Sequence, residues 1–371
     1  MKKGWIVTIG LVLSLSLLGT ADAEHKWKMQ ATWTAADTHM YSAKGFADKV
    51  DAMSGGRIKM EVLSAGAVVP AFEVLDAVHR GILDVGHAWP GYWFGKHPAA
   101  TLFGSVAGGP FGMDNFDYLG WIYLGGGKEL YNELLQNELK LNVVALICSG
   151  ETSEPTGWFR KPLKDVKSLK GMKFRAGGAA AEVFKELGMS VVILPGGEII
   201  PAMQRGVIDA AEFSDPSADM KMGFQDVAKY YYNPGVHQPT GFLEVLINKK
   251  KWDELTPDLK AICEFAAMAN TLHFDTLMFY ENSKDMQTLN TKHGVKVIET
   301  PKGFLIEVLK AWDKVAGKYV KENPFFAKVY ASQKKWAEQV VPYRRYAHPS
   351  YELVADYYWG GMNPLKVEKA K

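Results

Sequence analysis

Apolar and polar positions alternate from Lys26 to Trp33 in Lys-Trp-Lys-Met-Gln-Ala-Thr-Trp, the period-two signature of a strand. The period then changes. Ala43, Phe46, Ala47 and Val50 recur at helical spacing and stop at Ser54-Gly55-Gly56, a helix with a glycine stop. Ile58 to Leu63 alternates again. Pro70 to Arg80 places Val74, Leu75 and Val78 on one helical face, Gly81 closes it, and Ile82 to Trp89 reads as a third strand. The order β-α-β-α-β predicts a mostly parallel sheet covered by helices. Pro90 to Phe116 is rich in Gly, Pro and aromatics and reads as a long loop with short helices. A helix is expected toward the later part of Tyr118 to Leu139. The unbroken apolar run Asn142 to Cys148 reads as a buried strand.

The second half opens on a polar loop, Ser149 to Gly157, that carries Glu151 and Glu154; extended structure resumes at Trp158-Phe159-Arg160. Met172 to Asp219 then reads as strand, helix, strand or turn, helix, strand. Tyr230 to Gly235 is expected to be a turn leading back. Phe242 to Asn248 is a strand expected to recross to the first unit, Asp253 to Met286 is largely helical, and Val295 to Ile298 is a short strand. Helical pieces follow at Phe304 to Glu322, Phe325 to Val340 and Leu353 to Trp359, with a charged, disordered end expected at Lys366 to Lys371. The two halves echo each other: Arg80-Gly81-Ile82-Leu83-Asp84-Val85 resembles Arg205-Gly206-Val207-Ile208-Asp209-Ala210. In both, a helix ends on glycine, which tolerates the left-handed C-cap, and the chain enters an apolar strand holding one Asp. This predicts two related α/β lobes crossed more than once by the chain.

Composition narrows the function. The 371 residues suffice for two domains, and the formal net charge of +2 offers no clustered basic excess of the kind a nucleic-acid binder needs. Lys2-Lys3, an apolar run from Trp5 to Leu18 and Ala21-Asp22-Ala23 fit an export signal cut after Ala23, too short to span a bilayer comfortably. The expected location is outside the cytoplasm, the periplasm where a cell has two membranes. Cys148 and Cys263 could pair in such a compartment, but spacing alone leaves that open, and two such distant cysteines are no thiolate metal site. Motifs for the common hydrolases are absent: no Gly-x-Ser-x-Gly, no His-Glu-x-x-His, and Gly125-Gly126-Gly127-Lys128 continues with Glu129, so it fails as a phosphate-cradling loop. Glu154 and Glu212 remain conceivable as the acid/base pair of an exported enzyme.

Candidate chemistry gathers where strands end. Arg175 and Glu212 close two predicted strands of the 172–219 stretch, and in open α/β sheets the crevice beyond the carboxyl ends of strands takes small ligands. A guanidinium pairs both oxygens of a carboxylate at once. Trp33, Trp89, Tyr92 and Trp93 lie at or just after predicted strand ends and could be core or pocket wall; His87 could meet a solute or be a satisfied core histidine.

Lys170-Gly171-Met172-Lys173-Phe174-Arg175, Leu194-Pro195-Gly196-Gly197-Glu198-Ile199, Arg205 to Ala210 and Tyr230-Tyr231-Tyr232 resemble the solute receptors of TRAP (tripartite ATP-independent periplasmic) transporters, over nearly the whole chain after the leader. The pattern is most similar to members that take 2-oxo or 2-hydroxy monocarboxylates with a metal ion. The resemblance implies a two-lobed α/β periplasmic binding protein, each lobe a mostly parallel sheet flanked by helices, with a helical C-terminal tail. Its boundaries are expected as 24–150 with 240–290 for lobe I, 151–239 with 291–340 for lobe II, and 341–371 for the tail. It also implies a TRAP membrane permease as partner, with no nucleic acid and no enzymatic activity, and it allows a homodimer. By the same resemblance Arg175 binds the carboxylate, Glu212 ligates the metal, and Phe213, a tryptophan in those members, supplies its carbonyl. Glu154 stands where they have glutamine and Gln238 where they tend to have glutamate, as if amide and carboxylate had exchanged places around one ion. Trp33, Trp89 and Tyr92 would be walls of the pocket. The charge of Arg175 against Glu154, Glu212 and one monocarboxylate leaves two negative charges, which a divalent cation neutralises. Oxygen ligands suit hard cations, so Ca²⁺ is expected in preference to Na⁺. The identity of the acid stays open among pyruvate, lactate, longer 2-oxo acids and aromatic acids.

Overall fold

The computed structural model describes residues 24–163, 166–360 and 365–369; the expected leader, 1–23, lies outside them. Strand β1 (His25–Ala31) leads to a helix, His39–Ser54, that Gly55 ends in the left-handed region at φ 64°. Next come β2 (Ile58–Leu63), the helix Val74–His79 and β3 (Val85–Ala88). Ile82, Leu83 and Asp84, expected in that strand, form its approach. Two helices, Asn115–Leu124 and Gly127–Glu133, flank the glycines at 125 and 126 before β4 (Val143–Glu151). The chain then builds β5 (Gly157–Phe159), β6 (Lys173–Arg175), the helix Ala180–Glu186, β7 (Ser190–Val192), the helix Gly196–Gln204 and β8 (Ala210–Ala211). The helix Pro216–Met222, β9 (Tyr230–Asn233), β10 (Gly241–Asn248), the 37-residue helix Pro257–His293 and β11 (Lys296–Glu299) follow. Helices Lys302–Glu322, Pro324–Ala347 and Tyr351–Trp359 precede β12 (Glu368–Lys369).

Two sheets result, ordered β2-β1-β3-β10-β4 and β12-β11-β9-β5-β8-β6-β7. Strands joined through a helix pair in parallel, as β1 does with β2 and β3 and β6 with β7 and β8. The returning β10 pairs antiparallel to β3 and β4, and β5 antiparallel to β8 and β9. Two sequence expectations are corrected. Tyr230-Tyr231-Tyr232 is no turn: with Tyr231 and Tyr232 buried, it is the strand joining β5 to β11. Glu368 and Lys369 pair with Ile298 and Glu299 as an edge strand, so that part of the charged end is ordered by backbone hydrogen bonds its composition does not reveal.

The echoed hexapeptides have one physical cause. Gly81 and Gly206 take φ 72° and 70° at their helix ends, a conformation without penalty only for glycine. Three residues on, Asp84 accepts a bond from Lys28 N at 2.8 Å and donates its own N–H to the Lys28 carbonyl at 3.1 Å. Asp209 does the same with Lys173, at 3.1 and 2.7 Å. Each Asp thus fixes where its strand enters beside the preceding one.

The long helix Pro257–His293 ties the two sheets. Asn270 donates to the carbonyls of Ser42 and Cys148, and Asn282 accepts from Ser217 N and donates to Thr152 Oγ1. Cys148 and Cys263 are both buried and free.

Candidate functional site

The carboxyl ends of the strands converge on one cleft of about 280 Å³, lined by Trp33, His39, Trp89, Tyr92, Glu151, Glu154, Arg175, Gly177, Glu212, Phe213 and Gln238. The space within it that can hold a water-sized body is about 10 Å³, roughly one water, so the side chains close tightly around the cleft. The residues that the resemblance assigns to solute or metal, Trp33, Trp89, Tyr92, Glu154, Arg175, Glu212, Phe213 and Gln238, all line it. Trp93 does not: the short turn after β3 points it inward, where its indole N–H donates to Glu244 Oε1 at 2.6 Å. His87 is also away from the cleft. Its Nδ1 accepts from Trp33 Nε1, its Nε2 meets Ser42 Oγ, and burial pushes its pKa down to about 3, so it is neutral.

Arg175 ends β6 with 2 % of its surface exposed. Its Nε donates to the Leu194 carbonyl at 3.0 Å, and Nη1 donates to both the carbonyl and Oε1 of Glu212 at 2.9 Å. Gly177 N donates to the same carboxylate oxygen at 2.7 Å. Nη2 takes no hydrogen bond among the described residues and lies 3.7 Å from where a Cβ on Gly177 would sit. The arginine is therefore held rigidly by three bonds with one edge left open. Sequence treated Arg175 and Glu212 as separate ligands; the structure pairs them as a buried ion pair, whose cost of desolvation is offset by these surrounding bonds.

Glu154, beyond β4, is nearly fully buried. Its Oε1 accepts from Gln238 Nε2 at 3.0 Å and its Oε2 lies 3.3 Å from His237 Nε2. Burial, then the charges of Glu212 and Glu151, push its pKa well above the ordinary carboxylate value. Burial lowers His237 to about 4, leaving a neutral imidazole beside two carboxylates. Donor atoms of Glu154, Glu212 and His237 lie within 4.8 Å of one another, and Gln238 Oε1 is buried with no partner. Concentrated negative charge, a neutral imidazole and an orphaned amide oxygen together fit a hard cation. His237 was missed in the sequence; its only signal is adjacency to Gln238.

Aromatic walls complete the cleft. The Trp89 ring packs closely on glycines: Cβ atoms placed on Gly91 and Gly178 would come within 2.1 and 2.6 Å of Trp89 Cη2. Tyr92 meets Trp33 and Trp89 at centroid distances of 5.7 and 5.3 Å, and the Arg175 guanidinium lies 5.6 Å from the Phe213 centroid. Asp215, beside Glu212 and Phe213 in sequence, caps the helix Pro216–Met222 by accepting from Ala218 N.

Residues 29–323 match the DctP family, bacterial extracellular solute-binding protein family 7. The chain belongs to that family. It is 32 % identical, over 89 % of both chains, to the monocarboxylate 2-oxoacid-binding periplasmic protein of Nostoc. A TRAP transporter solute-binding protein from Bordetella bronchiseptica, with calcium and picolinate in its active site, superposes with a TM-score of 0.84 at 29 % identity, over 91 % of this chain and 98 % of that one. A TRAP periplasmic solute-binding protein from Pseudoalteromonas atlantica, with sodium and pyruvate bound, gives 0.81 at 28 % identity, over 91 % and 99 %. One from Colwellia psychrerythraea, with calcium and pyruvate, gives 0.82 at 28 %, over 90 % and 99 %. Membership in a solute-binding family sets aside an enzyme working through Glu154 and Glu212.

Proposed function

We propose that this protein is a periplasmic receptor that captures a small 2-oxo or 2-hydroxy monocarboxylate together with a metal ion and hands it to a TRAP membrane permease. The observation that carries the reading is Arg175, fixed on three of its bonds with Nη2 open, beside a carboxylate cluster and an orphaned amide oxygen. Arg175 takes the solute carboxylate through that open edge. Glu154, Glu212, the Phe213 carbonyl and Gln238 hold the cation, which when bound supplies positive charge to the solute's other oxygen. Trp33, Trp89, Tyr92 and the Phe213 ring enclose the carbon skeleton and exclude water. Charge balance favours Ca²⁺ over Na⁺, and both ions occur in the Colwellia and Pseudoalteromonas relatives, each with pyruvate.

The lobes are read as 24–150 with 240–290 and 151–239 with 291–340, with 341–371 as a tail. Within that tail all nine residues of Tyr351–Trp359 are exposed, among them Tyr351, Leu353, Tyr357, Tyr358 and Trp359. An apolar helix without cover supports a homodimer. Thermal denaturation across a panel of pyruvate, lactate, longer 2-oxo acids, aromatic acids and neutral sugars, each with Ca²⁺ or Na⁺, tests the reading. A bound ligand raises Tm by mass action; the carboxylates are expected to do so only with a cation, and stabilisation by a neutral sugar instead would refute it.

A further inference from the structure

The cleft holds two polar networks that share no hydrogen bond. The first joins Arg175 and Glu212, with Glu154, Gln238 and His237 clustered around them. The second is built on His39, which opens the first helix. Its Nδ1 lies 2.7 Å from Asp37 Oδ1, and its own backbone N–H donates to the same oxygen at 3.0 Å. Its Nε2 lies 3.1 Å from Ser214 Oγ, in the segment that follows β8. The Trp33 ring lies against His39 at 4.6 Å between centroids. Phe213 touches both networks, with Arg175 over its face and the His39 ring at right angles 6.2 Å away. Burial opposes a charge on His39, but Asp37, helped by Glu151 and Asp215, outweighs it and raises the pKa to about 9.

Glu151 belongs to this second network only by proximity. Its carboxylate lines the cleft with 10 % of the side chain exposed, and Oε1 lies 3.6 Å from His39 Nε2, too far for a good hydrogen bond. Oε2 lies against Gly241, 2.9 Å from where a Cβ would sit. No N–H or O–H of the described residues donates to either oxygen. A carboxylate withdrawn from water without a donor is costly, and the open direction is the cleft.

Resting on the receptor reading above, we propose that Glu151, which stands beside His39, is a specificity-determining residue that selects monocarboxylates bearing a hydrogen-bond donor, hydroxyl or ammonium, on the carbon beyond C2. With the carboxylate on Arg175 and the 2-oxygen on the cation, the substituent at C3 is the part of the solute left to meet the second network. A site built to hydrogen-bond such a group discriminates strongly against the analogue that lacks it, because its own polar group is then left unpaired.

The test is calorimetric titration of the full mature chain with Ca²⁺ and three probes differing only at C3: lactate, glycerate (3-hydroxyl) and isoserine (3-ammonium). The wild type is expected to bind glycerate, isoserine or both at least about tenfold more tightly than lactate. In Glu151→Ala that ratio falls to within about threefold, while Glu151→Gln, which keeps an acceptor but no charge, retains the glycerate preference and loses that for isoserine. Wild type that binds lactate as tightly as both other acids overturns the proposal without reference to any variant, as does a ratio that survives Glu151→Ala. If none of the three acids binds wild type, the receptor reading falls and this inference with it. If lactate binds and Arg175→Ala abolishes it but the C3 substituent is ignored, this inference alone falls.

Discussion

The wall of the cleft that follows the first sheet is largely aromatic: Trp33 after β1, Trp89 and Tyr92 after β3. The wall that follows the second sheet is charged, with Arg175 at the end of β6 and Glu212 after β8, and Glu154 and Gln238 join it from the two crossing segments. Aromatic rings supply area and exclude water with few rotatable bonds. Fixed charges supply direction, and they act strongly only where water is kept out. Each wall therefore depends on the other, yet they should fail differently. Losing a charge removes recognition; losing a ring weakens it.

The largest effect is expected from Arg175. Replacement by Ala should lower carboxylate affinity by at least about 100-fold, and by Lys nearly as much, because an ammonium cannot reproduce the fork. Binding measured by calorimetry on variants whose Tm is unchanged checks this. Recovery of near-normal affinity in Arg175→Lys would show that bare charge suffices.

The aromatic wall should yield smaller numbers. Trp89→Ala is expected to cost about tenfold in affinity with a measurable fall in Tm, since a large buried ring is worth ~3–5 kcal/mol at most when removed. Gly178→Ala attacks the same ring through a glycine it packs on. Gly178 sits at φ 53° with a Cβ position 2.6 Å from Trp89, so the methyl both strains the backbone and displaces the ring. Solute affinity measured by calorimetry should fall in this variant by about as much as in Trp89→Ala, and stay at the wild-type value if the contact is incidental.

The smallest expected effect lies away from the cleft and serves as its control. Glu244 is buried on β10, where Trp93 and Tyr131 each donate to it at 2.6 Å, and burial still pushes its pKa up to about 7 from 4.5. A raised carboxylate contributes stability that is complete below the unfolded value and is lost as pH rises toward 7. Unfolding by denaturant at pH 4.5 to 7.5 should show stability falling less with rising pH in Glu244→Gln than in wild type, with solute affinity within about twofold of wild type.

The charged wall was the legible one. Arg175 and Glu212 were legible as charges at strand ends, where the crevice of an open sheet lies; a carboxylate for the one and a metal for the other came through resemblance. Glu154 and Gln238 were legible only through resemblance. The aromatic wall was half legible: Tyr92 and Trp93 are adjacent, and only the turn that follows β3 sends one into the cleft and the other into the core against Glu244. His39, Asp37 and His237 were not read as site residues, because what makes them so is tertiary. His39 looks like the start of an ordinary helix until Ser214, in the segment that follows β8, arrives within 3.1 Å. The fold was readable wherever a period was clean, down to the paired Gly81 and Gly206. It failed at Tyr230–Asn233, where three tyrosines beside Pro and Gly carry turn chemistry and strand propensity at once.

The proposed function stands on a guanidinium and a captured cation gripping one carboxylate between them. Calorimetric titration of pyruvate and lactate into the protein, first with Ca²⁺ and then with chelator in sodium-free buffer, tests it most directly. Affinity is expected to fall by at least about 100-fold when both ions are withdrawn and to return on adding Ca²⁺, more fully than on adding Na⁺. Unchanged affinity in the ion-free buffer would contradict it.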